Sequence, residues 1–128
     1  MINWTLPKAI TVGICVFIFA QIMYVGVLVK ISHYEILRLI LLGSPGFAAF
    51  VTAYFAPHQK VVTGTFMAIP GTVIAMLAAF GYEYFGLHVD QIGGLMATFV
   101  ILITYHAALC VVGSFAGYFL SSNRNANL

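Results

Sequence analysis

The segment that decides the fold is residues 91–123, QIGGLMATFVILITYHAALCVVGSFAGYFLSSN, which contains no aspartate, glutamate, lysine or arginine. In a helix, about 20 apolar residues with a rise of ~1.5 Å each cross the hydrocarbon core of a bilayer, which is about 30 Å thick. The segment is therefore long enough to span a membrane. Because backbone amides and carbonyls in lipid must bond one another within the chain, the span is expected to be helical.

Three more stretches without charged residues precede this segment, at residues 9–29, 39–59 and 61–82. Each of them is also long enough for one span. The sequence therefore predicts an all-α integral membrane protein, a single transmembrane domain with helices at about 9–29, 38–56, 61–82 and 91–120. Since the connections between these spans are short, consecutive helices are expected to be antiparallel neighbours in a four-helix bundle.

The composition excludes a water-soluble domain. Of the 128 residues, 62% are hydrophobic and 6% are charged, and the mean hydropathy is +1.06. A soluble domain carries roughly 25% charged residues. The formal net charge of +2 is too small for a surface that binds nucleic acid. The expected partners are membrane lipid and other membrane subunits, in a homo-oligomer or a larger complex.

The positions of lysine and arginine carry the signal for orientation. Lys8, Lys60 and Arg124 lie on the side that holds both termini, and Lys30 and Arg38 lie on the other side. By the positive-inside rule, this distribution favours a multi-pass protein with both termini in the cytoplasm. The excess is small enough that insertion in both orientations remains an alternative.

Two spans contain a proline followed by a glycine near their middle. Pro45 precedes Gly46 in the second span, and Pro70 precedes Gly71 in the third. Because proline has no N–H for the carbonyl four residues earlier, it bends the helix and frees that carbonyl. We therefore expect a kink at each proline.

Small residues recur at helical spacing in the second, third and fourth spans. Lipid provides no hydrophobic force between helices, so a close approach over small residues holds them together. We expect the second and third spans to form the closest pair, a tight hairpin. The fourth span adds a Gly-x-x-x-Gly contact with another helix or another subunit. The predicted packing positions are Gly46, Ala53, Gly64, Ala68, Gly71, Gly113 and Gly117.

Polar side chains collect near the middle of all four spans. His106 shares a helical face with Cys110, Gly113 and Gly117, and we expect it to point into the bundle. An ionisable side chain in the middle of a span is a functional candidate by default. A hydrogen bond that only ties two helices together is the other explanation for such a residue. The candidate polar or substrate site consists of Gln21, Ser44, Thr72, Tyr105 and His106.

Catalytic and cofactor motifs are absent from the sequence. It has no Ser-His-Asp order, no phosphate-binding glycine loop, no HExxH and no paired carboxylates within a span. His106 is the one histidine inside a span, so one chain supplies at most half of a haem ligand pair. Cys15 and Cys110 lack ligand spacing and are expected to pack as small apolar residues. We therefore expect that this chain is not an enzyme and that it binds no cofactor and no metal ion.

Two classes of function fit these features. The first is a non-catalytic subunit or scaffold of a membrane assembly, in which the polar layer fixes the register of the helices. The second is a small oligomeric transporter or channel, with a polar site around Gln21 and His106 near the middle of the membrane. The first is favoured, because no span contains a carboxylate that could couple transport to an ion.

Overall fold

The computed structural model describes residues 4–28, 34–84 and 94–126, and within these ranges it contains helices and no strand. These ranges contain five helical segments: α1 (Leu6–Leu28), α2 (Tyr34–Phe55), α3 (Lys60–Phe66), α4 (Ala68–Tyr84) and α5 (Leu95–Ala126). The prediction of an all-α fold is confirmed for these residues.

Among the residues that the structure describes, three helical stretches are long and apolar enough to cross a membrane: Leu6–Met23, Lys60–Gly81 and Leu95–Asn123. In α2, the shorter apolar stretch is Leu39–Phe55. These lengths agree with the predicted localisation in a membrane. The predicted boundaries at residues 29 and 91 lie outside the described residues. The same is true of Lys30 and of the side chains of Arg38 and Arg124, which contribute to the predicted orientation.

The third predicted span consists of two helical segments, α3 and α4, which meet at Met67. The N–H of Met67 donates to the carbonyl of Gly64 at 3.1 Å, which makes a tighter turn than an α-helix has. Regular bonding resumes where the N–H of Gly71 donates to the carbonyl of Met67 at 3.0 Å. Because Pro70 has no N–H for the carbonyl of Phe66 and its ring crowds that carbonyl, the interruption falls just before the proline.

The second proline has a different local effect, since α2 continues through Pro45 without interruption. Pro45 cannot donate to the carbonyl of Leu41, its normal helical acceptor. The hydroxyl of Ser44 donates to that carbonyl instead, at 2.7 Å. The hydroxyl of Ser44 therefore bonds the carbonyl that Pro45 leaves without its backbone donor.

The most extensive contact between helices joins α2 and α5. The expectation that the second and third spans form the closest pair is therefore wrong. A Cβ atom on Gly113 would overlap the carbonyl of Gly46, and a Cβ on Gly117 would overlap the carbonyl of Phe50. With no side chain at these positions, the backbones of α2 and α5 come into direct contact.

Two further small residues lie on the faces of α2 and α3. A Cβ atom on Gly64 would overlap the side chain of Ser114 and lie 2.8 Å from the carbonyl of Ala49, so Gly64 lies between α5 and α2. Ala53 is fully buried, and its Cβ is 3.2 Å from the position of a Cβ on Gly117. Ala53 therefore packs against α5.

The start of α4 packs into the centre of the molecule. Ala68 is buried in one cluster with Ala49, Met67 and Cys110. Gly71 lies against α1, where a Cβ atom would be 3.2 Å from the ring of Phe17. The first turn of α4 thus contacts three other helical segments through small side chains.

Within the described ranges, the buried residues fall in one stretch of each helix or helix pair. They lie between Ala9 and Ala20 in α1, between Ser44 in α2 and Ala56 just after it, between Thr63 and Thr72 in α3 and α4, and between His106 and Ser121 in α5. We call these stretches the packed half. The described side chains of residues 21–23, 39–43, 73–84 and 94–105 include none that is buried, and we call these stretches the open half.

Candidate functional site

The predicted polar residues lie at the boundary between the two halves. Ser44, Thr72 and His106 are the last buried residues of their helices before the open half begins. Gln21 is half-buried and Tyr105 is exposed, and both belong to the open half. The predicted polar residues therefore lie where the open half adjoins the packed half.

His106 and Thr72 join α5 to α4 through a buried contact. The Oγ1 atom of Thr72 lies 3.0 Å from Nδ1 of His106. The hydroxyl of Thr72 donates its proton to the carbonyl of Ala68 at 2.7 Å. The same Oγ1 atom thus contacts both the backbone of α4 and the imidazole on α5.

The second ring nitrogen of His106 has a different environment. Within the described residues, Thr72 is the hydrogen-bond partner of this ring, and it bonds Nδ1. No fully buried side-chain nitrogen or oxygen in the same part of the chain lacks a partner. Nε2, which has none there, is therefore not fully buried, and it keeps a share of the 4% exposure of His106.

Two aromatic rings lie beside the imidazole of His106. The ring of Phe17 on α1 meets it edge to face, with centroids 5.6 Å apart and planes at 72°. The ring of Tyr105 lies 5.9 Å away at 49°. Phe17 is the site residue that the sequence did not reveal, because an aromatic side chain in a membrane span gives no signal of its own.

The backbone of α2 around Pro45 receives two further bonds from α5. The hydroxyl of Tyr105 donates to the carbonyl of Leu42 at 2.7 Å. The thiol of Cys110 donates to the carbonyl of Pro45 at 3.4 Å. The structure therefore joins Tyr105 to α2 and His106 to α4, so that two adjacent residues of α5 bond different helices.

Ser44 and Gln21 are the remaining candidates. The hydroxyl of Ser44 is bonded within its own helix, to the carbonyl of Leu41. Gln21 follows Phe17 by four residues, which places it on the same face of α1, toward the open half. The direct pair at the centre of the site is thus Thr72 and His106.

Polar bonding continues at the other end of the packed half. The Nζ atom of Lys60 donates to the hydroxyl of Ser121 at 2.8 Å, which joins the start of α3 to the last turns of α5. Trp4 stacks on Phe55 at a centroid distance of 4.1 Å and closes α1 against α2 at the same end. Neither pair has a signal in the sequence, because 61 residues separate Lys60 from Ser121.

The described residues contain no group of three histidine, cysteine, aspartate or glutamate side chains that could hold a metal ion. Cys15 is exposed on α1 and Cys110 is buried on α5, and both are free thiols. The arrangement of the site thus offers hydrogen bonding at one imidazole rather than a set of ligands.

No model of a known protein family matches this chain, and neither a curated protein nor a solved structure gives a match.

Proposed function

We propose that this chain is a non-catalytic subunit or scaffold of a membrane assembly. In this proposal it crosses the membrane four times as an antiparallel bundle, with kinks at Pro45 and Pro70 and both termini in the cytoplasm. The observation that carries the proposal is that every fully buried side-chain nitrogen and oxygen of the described residues has a hydrogen-bond partner. Among these bonds, those from Lys60 to Ser121 and between Thr72 and His106 join two helices, which is a structural role.

The order of the contacts supports the antiparallel arrangement. Lys60 in α3 bonds Ser121 in α5. Thr72, which comes later in the chain, bonds His106, which comes earlier in α5. Such a reversed order is what neighbouring helices of opposite direction produce. In the contacts between α2 and α5, residue numbers increase in the same direction along both helices. This order is expected for the second and fourth helices of an up-and-down bundle.

The closure of the packed half favours a scaffold over the alternative, a small oligomeric transporter or channel. A transporter needs a path for its substrate beyond the polar layer. Phe17, Cys110 and Ser114 fill that region and are each at most 1% exposed. Packed side chains therefore occupy the region through which a substrate pathway would run.

The outer surface of α5 supports a role within an assembly. Few residues of Leu95–Asn123 are buried in the chain, namely His106, Cys110, Gly113, Ser114, Gly117 and Ser121. Large apolar side chains, among them Val112 and Phe119, point outward. In a membrane these side chains meet lipid tails or the helices of a neighbouring subunit, which is either a second copy of this chain or a different protein.

The test combines assembly with flux. We expect the chain extracted in a mild detergent to migrate above its monomer mass on a native gel. Liposomes that contain it should pass H⁺, Na⁺, K⁺ and Cl⁻ no faster than empty liposomes. A monomer on the gel, or a flux that His106→Gln abolishes while the melting temperature stays unchanged, would overturn the proposal.

A further inference from the structure

Lys60 at the start of α3 carries a positive charge that is held in one place. Its side chain is half-buried, and its Nζ atom donates to the hydroxyl of Ser121 at 2.8 Å. Ser121 is 5% exposed and donates its own proton to the carbonyl of Tyr118 at 2.9 Å. A lysine near the end of a membrane helix commonly extends its ammonium toward water. The ammonium of Lys60 is instead fixed against α5, where a serine accepts one of its three protons.

The charge of Lys60 has no counter-ion in the part of the chain that the structure describes. Glu83 is the one carboxylate whose side chain is described there, and it lies near the far end of α4. At a rise of ~1.5 Å per residue, the helical path between the two residues is roughly 30 Å long, far beyond the reach of a salt bridge. Because a charge partly removed from water is costly unless an opposite charge faces it, the two remaining protons of the ammonium favour an anionic acceptor.

Lys60 lies at the level where a membrane presents its phosphates. It is the first residue of the apolar stretch Lys60–Gly81, so its ammonium stands where the span meets the lipid headgroups. Further along α3, Val62 and Phe66 are 67% and 54% exposed. In a membrane, such side chains contact acyl chains. The surroundings of Lys60 therefore combine a cation at headgroup level with an apolar surface below it.

We propose that Lys60 and Ser121 form a binding site for the phosphate of an anionic phospholipid such as phosphatidylglycerol. The ammonium, oriented by Ser121, donates charge-assisted hydrogen bonds to the phosphate oxygens, and the exposed surface of α3 contacts the acyl chains. Phosphatidylcholine binds more weakly, because its own ammonium offsets the charge of its phosphate. The site goes beyond the proposed scaffold role, since lipid binding is measured without reference to oligomeric state or flux.

The test measures how added lipid changes the melting temperature of the full chain in detergent micelles. A ligand that binds the folded state raises the melting temperature as its concentration increases. We expect phosphatidylglycerol to raise it, and phosphatidylcholine with the same acyl chains to leave it nearly unchanged. Glycerol 3-phosphate, which offers a phosphate without acyl chains, should have no effect. This last arm separates a lipid site from a site for a free anion.

Three substitutions test whether one positioned lysine is responsible. Lys60→Gln removes the charge and should weaken the apparent affinity for phosphatidylglycerol roughly ten-fold or more, the effect of losing a hydrogen bond from a charged group. Lys8→Gln is the matched control, because it removes the same charge from an exposed position in the first turn of α1, and it should leave the affinity largely unchanged. Ser121→Ala keeps the charge but removes its acceptor, so a smaller loss is expected. Each variant is compared with its own melting temperature without lipid.

Three results would overturn the site. The first is an equal rise in melting temperature with phosphatidylglycerol and phosphatidylcholine, which indicates a general effect of lipid. The second is a rise with glycerol 3-phosphate as large as the rise with the lipid. The third is a folded Lys60→Gln variant that loses no more affinity than Lys8→Gln, which would show that the position of the charge does not matter.

Discussion

Gly113 on α5 lies directly against the backbone carbonyl of Gly46 on α2, with no space for a side chain between the two helices. This contact lies next to Pro45, whose carbonyl accepts a hydrogen bond from the thiol of Cys110. A close approach of backbones over glycine increases van der Waals packing between helices in lipid and permits weak contacts from Cα–H to carbonyl oxygen. The pair therefore anchors the most extensive contact in the molecule.

Gly113→Ala should lower the stability of the bundle, because the added methyl group overlaps the carbonyl of Gly46. Overpacking of this kind costs about 1–3 kcal/mol. The matched control is Gly43→Ala on α2, where the new Cβ atom meets nothing within 4 Å. Melting in detergent should separate the two variants, and equal melting temperatures would show that α2 and α5 do not meet at Gly113.

Thr72→Val and His106→Phe should be energetically coupled, since they remove the two ends of one buried hydrogen bond. Bonds between helices in membrane proteins couple by about 0.6 kcal/mol on average and at most about 1.7. Thr104→Val provides the control, because Thr104 is exposed and donates within its own helix to the carbonyl of Val100. A double-mutant cycle should give coupling with Thr72 and none with Thr104. Coupling of the same size in both cycles would contradict the assigned bond.

Ser44→Ala should destabilise the chain by about 1–3 kcal/mol, because it leaves the carbonyl of Leu41 without a donor. The cost should shrink when Pro45→Ala is also present, since an alanine at this position supplies the missing backbone N–H. Chemical or thermal unfolding of the two single variants and the double variant measures this difference. An unchanged cost of Ser44→Ala beside Pro45→Ala would mean that the hydroxyl does not replace the proline's bond.

Ala68→Leu should force apart the helices that meet at the first turn of α4, because Ala68 is buried against Ala49 and Cys110. The expected loss is about 1–3 kcal/mol of unfolding free energy. Ala97→Leu makes the same chemical change on an exposed face of α5 and should have little effect. If Ala68→Leu melts at the wild-type temperature, the buried position of this alanine is wrong.

Topology is tested by reporters fused after Leu128 and within the connection between Glu83 and Asp90. The excess of lysine and arginine on the side of the termini predicts that the first reporter is cytoplasmic and the second is not. A signal from both compartments at both positions would instead indicate insertion in two orientations.

Prediction from the sequence was most successful for the extent of the apolar helices, which depends on the solvent around the chain. The long uncharged run 91–123 corresponds to the apolar stretch Leu95–Asn123 of α5, because apolar length alone determines what can cross a bilayer. It was less successful for the pairing of helices. Every span after the first offers a face of small residues, so spacing does not distinguish α3 from α5 as the partner of α2. The short connection between residues 56 and 60 favoured the wrong choice.

For the candidate site as well, one residue could be predicted from the sequence and its contacts could not. His106 stood out because an imidazole within an uncharged span is rare and costly. Its partner did not stand out, since Gln21, Ser44 and Thr72 lie at similar depth and each can form a hydrogen bond. Only the assembled bundle selects Thr72, and only the bundle places Phe17 against the ring.

The sequence by itself determined that the chain is apolar enough for a membrane and that it is helical. It also determined the approximate limits of the apolar helices. These properties depend on local composition, which is the same before and after folding. The tertiary structure decided that α2 meets α5 through Gly46 and Gly113, and that burial ends at Thr72 and His106. Both depend on how closely backbones far apart in the sequence can approach. That distance is determined by the shapes of two helices together, and neither helix encodes it alone.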